Sequence, residues 1–370
     1  MAVKVQFETA TLADAVNRAA RVSPTKGAAY DRSSGVIIAA NADGAVIRST
    51  NLEVTYRQEI DVLSADGDLS VRVPASTASG FLSGLPMGEG SVVTLVDNGD
   101  DDWVRLSCGK TKARLADIPL DNFPNLPPFD IGDLGVAENF SSRLEQVAWA
   151  CSPDVAPLTG VHIDGEHLIA TDKFKVAIVP CVVPLDAPIT VPLGTIAPLL
   201  RNTSEVRIGS DGSRLMMMTD EFTQATSVIY GSDFPNIIAV IGAAVKGQSF
   251  TCTLPIGALE KALDRVLVLV SSDRYPVIKM TFKPDGIGID LDAQTTGQVR
   301  DEIEVPVEME EDELVIWMNP AFVREAMGHA TGELKIKGGP TGMNPVEFSD
   351  DTGYQCFVMP RAEMTGATAE

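Results

Sequence analysis

Histidine is nearly missing from this 370-residue chain: only His162, His167 and His329 occur, at no spacing that a metal ion uses. There is no H-E-x-x-H pair and no G-x-S-x-G elbow, so the usual signatures of zinc hydrolases and serine-nucleophile hydrolases are absent. Cysteine is sparse too. Cys108, Cys151, Cys181, Cys252 and Cys356 stand far apart without a C-x-x-C pair, which reads as reduced cytosolic thiols in cores and not as a disulfide framework. No apolar run approaches the roughly 18–20 residues that span a bilayer. The start, Met1-Ala2-Val3-Lys4-Val5-Gln6-Phe7, alternates like a strand and lacks a signal-peptide core. Positive charge is the most telling shortage. Lys and Arg number 29 against 51 Asp and Glu, a formal charge of −22. Simple nucleic-acid binders are basic, because neutralised phosphates supply their affinity. A chain this acidic either avoids nucleic acid or holds it by something other than affinity.

What is present is repetition. Residues 118–125 read Ile-Pro-Leu-Asp-Asn-Phe-Pro-Asn and residues 229–236 read Ile-Tyr-Gly-Ser-Asp-Phe-Pro-Asn, while Cys356-Phe357-Val358-Met359-Pro360 closes a third unit with a strand running into proline. A period of about a hundred residues is too long for a solenoid and suits a whole domain. Each unit opens with a strand and an amphipathic helix. The apolar stripes are Leu12, Ala15, Val16 and Ala19, then Leu144, Val147, Ala148 and Cys151, then Leu259, Ala262, Leu263, Val266, Leu267 and Val270. Further along, a strand and a proline introduce a second helix, predicted over 75–85, 193–202 and 321–330. Alternating segments and turn signals such as Asp43-Gly44, Asp97-Asn98-Gly99, Asp164-Gly165, Asp211-Gly212 and Asp285-Gly286 fill the remainder. Each unit therefore reads strand, helix, three strands, strand, helix, three strands. That is an α+β pattern whose sheets have one face covered by helices. Proline-rich and glycine-rich stretches place the domains at 1–127, 128–244 and 245–370.

Catalytic motifs do not survive inspection. Cys108-Gly109-Lys110-Thr111 holds the Gly-Lys-Thr of a phosphate loop, but Val104 stands where the first glycine belongs, and the segment lies between two strand-like runs. It reads as a hairpin turn. Asp100-Asp101-Asp102 and Glu308 through Glu313 lack the spacing of a calcium loop and read as solvated turns. Gly338-Gly339-Pro340-Thr341-Gly342 precedes a strand and reads as a flexible loop. No metal site, cofactor or catalytic residue is expected, and an enzyme is a distant reading.

Seven further pieces fall in register along the chain: Ser49-Thr50-Asn51-Leu52-Glu53-Val54; Pro74 through Leu85-Pro86; Leu120 through Leu126; Ile169-Ala170-Thr171-Asp172; Gly231 through Asn236; Leu269 through Tyr275; and Val358-Met359-Pro360. Together they make the chain resemble the bacterial sliding clamp, the beta subunit of DNA polymerase III, over its whole length. The resemblance implies three tandem copies of the DNA-clamp fold, a head-to-tail homodimer, and a closed ring with helices lining the hole and antiparallel sheets outside. A closed ring holds duplex DNA by topology, without sequence preference, so a net negative charge is no obstacle. Only the inner helices must tolerate phosphate, and acidic strands and loops facing outward would discourage nonspecific sticking.

The resemblance also implies residues. Arg18, Arg21, Lys26, Arg143, Arg201, Lys261, Arg265 and Arg324 become the DNA-facing cations. The dimer seam joins the edge strand at Lys110, Lys112, Ala113, Arg114 and Leu115 to Leu269, Val270, Asp301 and Glu302 of another copy. A partner-peptide pocket for the replicative polymerase and clamp loader is built from Leu158, Thr171, Lys173, Phe174, Lys175, Val176, Pro235, Val240, Val358, Met359 and Pro360. Its expected ligand is a short extended segment with Leu or Phe anchors. The chain departs from the family at Ser76 and Thr77, where basic residues are usual, at Thr171-Asp172-Lys173-Phe174-Lys175-Val176 in place of Thr-Asp-Gly-His-Arg-Leu, and in ten residues beyond Met-Pro. A divergent clamp, cellular or phage-encoded, fits these departures, acting in the bacterial or host cytoplasm with no membrane partner. The alternative is a clamp-fold interaction or decoy protein that forms no closed ring on DNA.

Overall fold

The computed structural model describes residues 2–26, 30–99, 102–125, 134–193, 203, 205–220, 223–227, 234–245, 247–269, 276–293 and 297–362. The first stretch folds as β1 (Val3–Glu8), α1 (Thr9–Val22), a short α2 (Tyr30–Ser33), β2 (Val36–Asn41), β3 (Gly44–Thr50), β4 (Val54–Ile60), β5 (Ser64–Ala65), β6 (Leu69–Val73), α3 (Ala75–Ser83), β7 (Val92–Asp97), β8 (Trp103–Cys108) and β9 (Thr111–Ala116). The second is β10 (Gly135–Glu138), α4 (Phe140–Ala148), β11 (Gly160–Ile163), β12 (His167–Thr171), β13 (Lys175–Pro180), β14 (Ile189–Pro192), β15 (Glu205–Ser210), β16 (Arg214–Met218) and β17 (Thr223–Ser227). After α5 (Ile237–Ala244) come β18 (Phe250–Pro255), α6 (Ile256–Leu269), β19 (Ile278–Lys283), β20 (Gly286–Ala293), β21 (Gly297–Glu304), β22 (Val307–Met309), β23 (Leu314–Met318), α7 (Pro320–Gly328), β24 (Glu333–Gly338), β25 (Val346–Ser349) and β26 (Gln355–Val358). The order anticipated from the sequence thus recurs, with α2, β5, α5 and β22 added. The helix anticipated over 193–202 falls outside the described residues from 194 onward.

The helices form where apolar residues recur at helical spacing and stop where a cap is available. In α1, Leu12, Ala15, Val16 and Ala19 are buried while Asp14 and Arg21 are exposed. The Ser49 hydroxyl on β3 donates to the Ala19 carbonyl at 2.6 Å, seating that face on the sheet. In α6 the buried stripe is Leu259, Ala262, Leu263 and Val266. Pro320 occupies the first turn of α7, where no N–H is needed, and the Asn319 side chain accepts from the Ala321 N–H at 2.9 Å. Pro74 instead stands one position earlier, at the N-cap of α3. The supposed phosphate loop is a hairpin: Cys108 pairs with Thr111, and Gly109 turns the chain at φ +56°.

The two copies of Phe-Pro-Asn have different fates. Asn236 caps α5 by accepting from the Ala239 N–H at 3.1 Å. Phe123 instead lies under the guanidinium of Arg72, 5.1 Å from ring centre to Cζ. Arg72 is buried without a carboxylate partner for its guanidinium among the described residues. It donates to the Ser34, Pro119 and Arg32 carbonyls at 2.7, 3.0 and 3.1 Å.

The chain divides into two compact units, Met1–Ser141 with Val183–Ile229, and Ser142–Val182 with Tyr230–Glu370. In the first, one sheet runs β5-β1-β7-β8-β9 and another β10-β15-β16-β17-β4-β3-β2-β6. In the second, one sheet runs β11-β12-β13-β26-β25-β24-β18-β22 and another β21-β20-β19-β23. Every neighbouring pair in these sheet orders is antiparallel, and two of them join successive repeats: β17 with β4, and β26 with β13.

Candidate functional site

The second unit carries an apolar cavity of about 590 Å³. Its floor is the tip of the β13–β26 pairing, where Ile169, Ile178 and Phe357 are buried and Val176, Phe234, Ile237, Ile241 and Val245 pack on them. Helix α5 has no fully buried residue and is too short to persist alone. Its Ile237 and Ile241, one turn apart, hold it on that floor, and Val240, 61% exposed, stands at the rim. The Phe234 ring that leads into α5 stacks on His162 at 4.5 Å with planes 1° apart. Burial holds the His162 imidazole below its ordinary pKa, so the ring packs in its neutral form.

One side of the cavity is a five-residue loop, Thr171–Lys175, whose polar groups are spent internally. The Thr171 hydroxyl donates to the Lys175 carbonyl at 2.8 Å and accepts from the Lys173 N–H at 3.1 Å. The Asp172 carboxylate accepts from the Phe174 and Lys175 N–H groups, each at 2.9 Å. These bonds hold Lys173 in the left-handed region at φ +84°. The same bonds build Thr50–Val54, with Leu52 at φ +79°, and Ser210–Arg214, with Gly212 at φ +80°. The loop is therefore a recurring device of the fold, and the sequence marks it by Thr or Ser followed by Asn or Asp.

Of the residues expected at the pocket, Leu158, Thr171, Lys173, Val176, Pro235, Val240 and Met359 line the cavity. Four do not. Val358 is fully buried, because its side chain alternates to the opposite face of β26 from Met359 and Phe357. Phe174 points outward, 55% exposed, with the Arg361 guanidinium 6.0 Å from its ring, so it does not fill the cavity. Pro360 follows the strand outside the lining. Lys175 is drawn beneath it: its ammonium meets Glu325 at 3.1 Å and lies 4.9 and 4.8 Å from the Trp149 and Phe322 rings. The sequence reading missed Val155, Ala156, Pro157, Ile237, Ile241, Ala244, Pro345 and Phe357. The apolar run Ile237-Ile238-Ala239-Val240-Ile241 was the available signal, since a short helix without charge needs an apolar seat.

Of the expected DNA-facing cations among the described residues, several are matched to acids of the same chain. Arg18 on α1 meets Asp14 one turn earlier at 2.9 Å. Arg324 on α7 meets Asp264 at 2.8 Å and Glu260 at 3.0 Å, both on α6, and these bonds hold its pKa above the ordinary value. Arg265 on α6 pairs with Asp301 on β21. Arg143 on α4 donates to Gln146 at 3.0 Å. Arg21, Lys26 and Lys261 are exposed, and Arg201 lies outside the described residues.

The expected seam residues sit on two sheet edges. Among the described residues strand β9 pairs only with β8, and Lys112 and Arg114 are exposed while Ala113 is half-buried and Leu115 buried. Strand β21 likewise pairs only with β20 among the described residues and alternates exposed Arg300, Glu302 and Glu304 with half-buried Val299, Asp301 and Ile303. Glu302 lies 3.6 Å from Arg300, whereas Asp301 is occupied by Arg265. Leu269 ends α6, and Val270 lies outside the described residues. Among the described residues no cluster of three or more His, Cys, Asp or Glu side chains could hold a metal ion, and no helix is long and apolar enough to cross a membrane.

Comparison with known proteins agrees with this fold. The family described as the DNA polymerase III beta subunit, C-terminal domain, matches residues 246–337. The chain is 24% identical to the beta sliding clamp homolog GriR of Streptomyces muensis, with 88% of this chain and 91% of that protein covered. It is also 24% identical to the beta sliding clamp of Caulobacter vibrioides, with the same shares covered. The DNA polymerase III beta subunit of Thermotoga maritima superposes with a TM-score of 0.87 at 23% identity, over 98% of this chain and 100% of that one. A sliding clamp of Pseudomonas aeruginosa, solved with griselimycin bound, superposes with a TM-score of 0.82 at 17% identity, over 98% and 100%. The chain is thus similar in sequence to bacterial beta sliding clamps over most of its length, and it has the fold of the DNA polymerase III beta subunit.

Proposed function

We propose that the chain is a DNA sliding clamp, a non-catalytic processivity factor that encircles duplex DNA and tethers a polymerase through the apolar cavity of its second unit. The observation that carries the ring is a pairing left over. The last strand of the second repeat, β17, pairs with β4, the third strand after the opening helix motif of the first repeat. The last strand of the third, β26, pairs with its counterpart β13 in the second. By the same rule β9, which ends the first repeat, calls for β21 of a third repeat, and both are sheet edges. Unpaired edges of this length invite a second chain. Pairing β9 of one copy with β21 of another is head-to-tail, and two such seams close a dimeric ring of three domains per chain.

The charges fit that seam, with Lys112 and Arg114 on one edge and Glu302 and Glu304 on the other. Exposed pairs of this kind contribute about 1 kcal/mol or less each, so the backbone ladder and apolar burial at the half-buried Ala113, Val299 and Ile303 carry the rest. Topological retention also suits helices on which Arg18, Arg265 and Arg324 are matched by acids of the same chain. A ring grips by closure and needs little net charge. The Pseudomonas clamp's griselimycin supports reading the cavity here as a peptide site, serving the replicative polymerase and clamp loader. The test is solution mass by light scattering, then retention on nicked circular against linearised DNA. A dimer kept on circles and lost from linear ends is the expected result. A monomer at micromolar concentration favours the interaction or decoy protein instead.

A further inference from the structure

We propose that the first unit carries a second recognition site, built on Arg48 and Arg57, for an acidic side chain on an extended segment of a partner protein. The internal repeat exposes it. In the second unit Thr171 pairs with Val176 beside the loop, and two residues further along the strands Ile169 pairs with Ile178. In the first unit Thr50 pairs with Thr55 beside the matching loop, and two residues further along Arg48 pairs with Arg57. The flanking strands keep the same register. His162 opposite Ile169 corresponds to Ile37 opposite Arg48, and Phe357 opposite Val176 corresponds to Ala225 opposite Thr55. Two arginines therefore stand where the apolar cavity has Ile169 and Ile178 on its floor. The loop is inverted as well: Leu52, 51% exposed, holds the left-handed place that Lys173 holds on the cavity wall. One backbone surface thus occurs twice, once apolar with a cationic wall and once cationic with an apolar wall.

Like charges directly opposite each other on a sheet are destabilising, and Arg48 has no acid partner among the described residues. Its side chain is half-buried, and its Nε is buried without a hydrogen-bond partner. Burial, and then the charge of Arg57, hold its pKa below the ordinary value. Arg72 makes the contrast. It stands opposite Ile37 in the same row of the sheet and spends its guanidinium on three backbone carbonyls. Arg57 pairs with Glu59 on its own strand and keeps 29% of its side-chain surface exposed, so a ligand can reach the pair. A guanidinium fork takes a carboxylate through two parallel hydrogen bonds. A carboxylate set there satisfies the Arg48 Nε and offsets the opposed charges, while Leu52 offers its segment an apolar contact. Glu59 beside Arg57 and the chain's net charge of −22 disfavour a polyanion such as nucleic acid. The site does not depend on what the apolar cavity binds.

The experiment uses the full chain and two synthetic peptides, acetylated and amidated, that carry one leucine and differ only in Glu or Gln beside it. Binding is read by calorimetry for wild type and for Arg48→Gln, and urea denaturation compares the stability of the two proteins. The expected result is a preference of about tenfold for the Glu peptide in wild type. Arg48→Gln should abolish that preference, leave Gln-peptide affinity the same, and unfold at an equal or higher urea concentration. Equal binding of the two peptides by wild type, or failure of both to bind, overturns the site. So does a preference that persists in Arg48→Gln, which would place the acid elsewhere on the chain. A marked loss of stability in Arg48→Gln means that the guanidinium serves the fold itself, and also overturns the proposal. Inorganic phosphate that displaces the Glu peptide at matching concentration assigns the arginines to a free oxyanion and overturns the peptide assignment.

Discussion

The ammonium of Lys175 on β13 lies 3.1 Å from the carboxylate of Glu325 on α7. It is flanked by the rings of Trp149 and Phe322 at 4.9 and 4.8 Å, and a second carboxylate, Asp172, stands 3.8 Å away. The cation thus ties the end of α4, the start of β13 and the helix α7 into one polar knot beneath the apolar cavity. Lys175→Met should lower the unfolding free energy by about 2 kcal/mol, since Glu325 and Asp172 lose their partner while the ring contacts are largely kept. Urea denaturation measures this. Peptide affinity should stay within about twofold of wild type, because the side chain does not reach the cavity.

Matched charges on the helices predict how DNA binding responds to salt. Arg324 is held by Asp264 and Glu260, so removing it should barely change the salt dependence of binding to linear duplex. Asp264→Asn with Glu260→Gln should act the other way, releasing the guanidinium from both acids and steepening the slope by up to about one phosphate contact. Titrations at several salt concentrations on the intact dimer distinguish the two. A steep loss on Arg324→Ala would mean that affinity, and not closure, retains the DNA.

At the seam, Lys112→Glu with Arg114→Glu should weaken dimerisation by about tenfold or more through like charges opposite Glu302 and Glu304. Glu302→Lys with Glu304→Lys in the partner copy should restore it when the two variants are mixed. Sedimentation equilibrium reads both. Dimer affinity unchanged by the first pair of substitutions would remove β9 from the interface.

Stability should decline in mild acid for a reason visible in the rings. Burial holds the His162 and His329 imidazoles below the ordinary value of 6.5, His329 against Trp149 and His162 against Phe234. Unfolding therefore takes up protons. Their contribution is whole above 6.5 and is lost as the pH falls through the window between that value and the lower folded-state pKa values. Denaturation at about pH 7.5 and about pH 5.5 should show the loss. His162→Phe with His329→Phe keeps the ring packing and should flatten it.

The thiols should be inert in the native protein. Burial pushes Cys151 and Cys252 up to about 12 and Cys181 up to about 11, and raises Cys356 further. The thiolate is the reactive form, so a disulfide reagent at about pH 8 should leave these four unmodified until the chain is unfolded. Guanidinium should then expose all five cysteines. Rapid native labelling of Cys151 or Cys252 would place them nearer solvent.

Much of this protein was determined by its sequence alone. Apolar stripes at helical spacing placed α1 and α6, and Asp-Gly and Cys-Gly-Lys-Thr marked hairpins, because side-chain periodicity and turn chemistry are local and leave their trace in neighbouring residues. The repeated order of elements was legible for the same reason. Tertiary structure alone decided which lysine lines the cavity. Lys173 and Lys175 stand two apart in one polar run, and only the left-handed turn at Lys173, with Glu325 brought from a distant helix, sends one to the wall and the other beneath it. It alone paired Arg265 with Asp301 and Arg324 with Asp264, quieting cations that look free in sequence. It also left β9 and β21 as edges, because strand pairing is a long-range choice that no local pattern encodes.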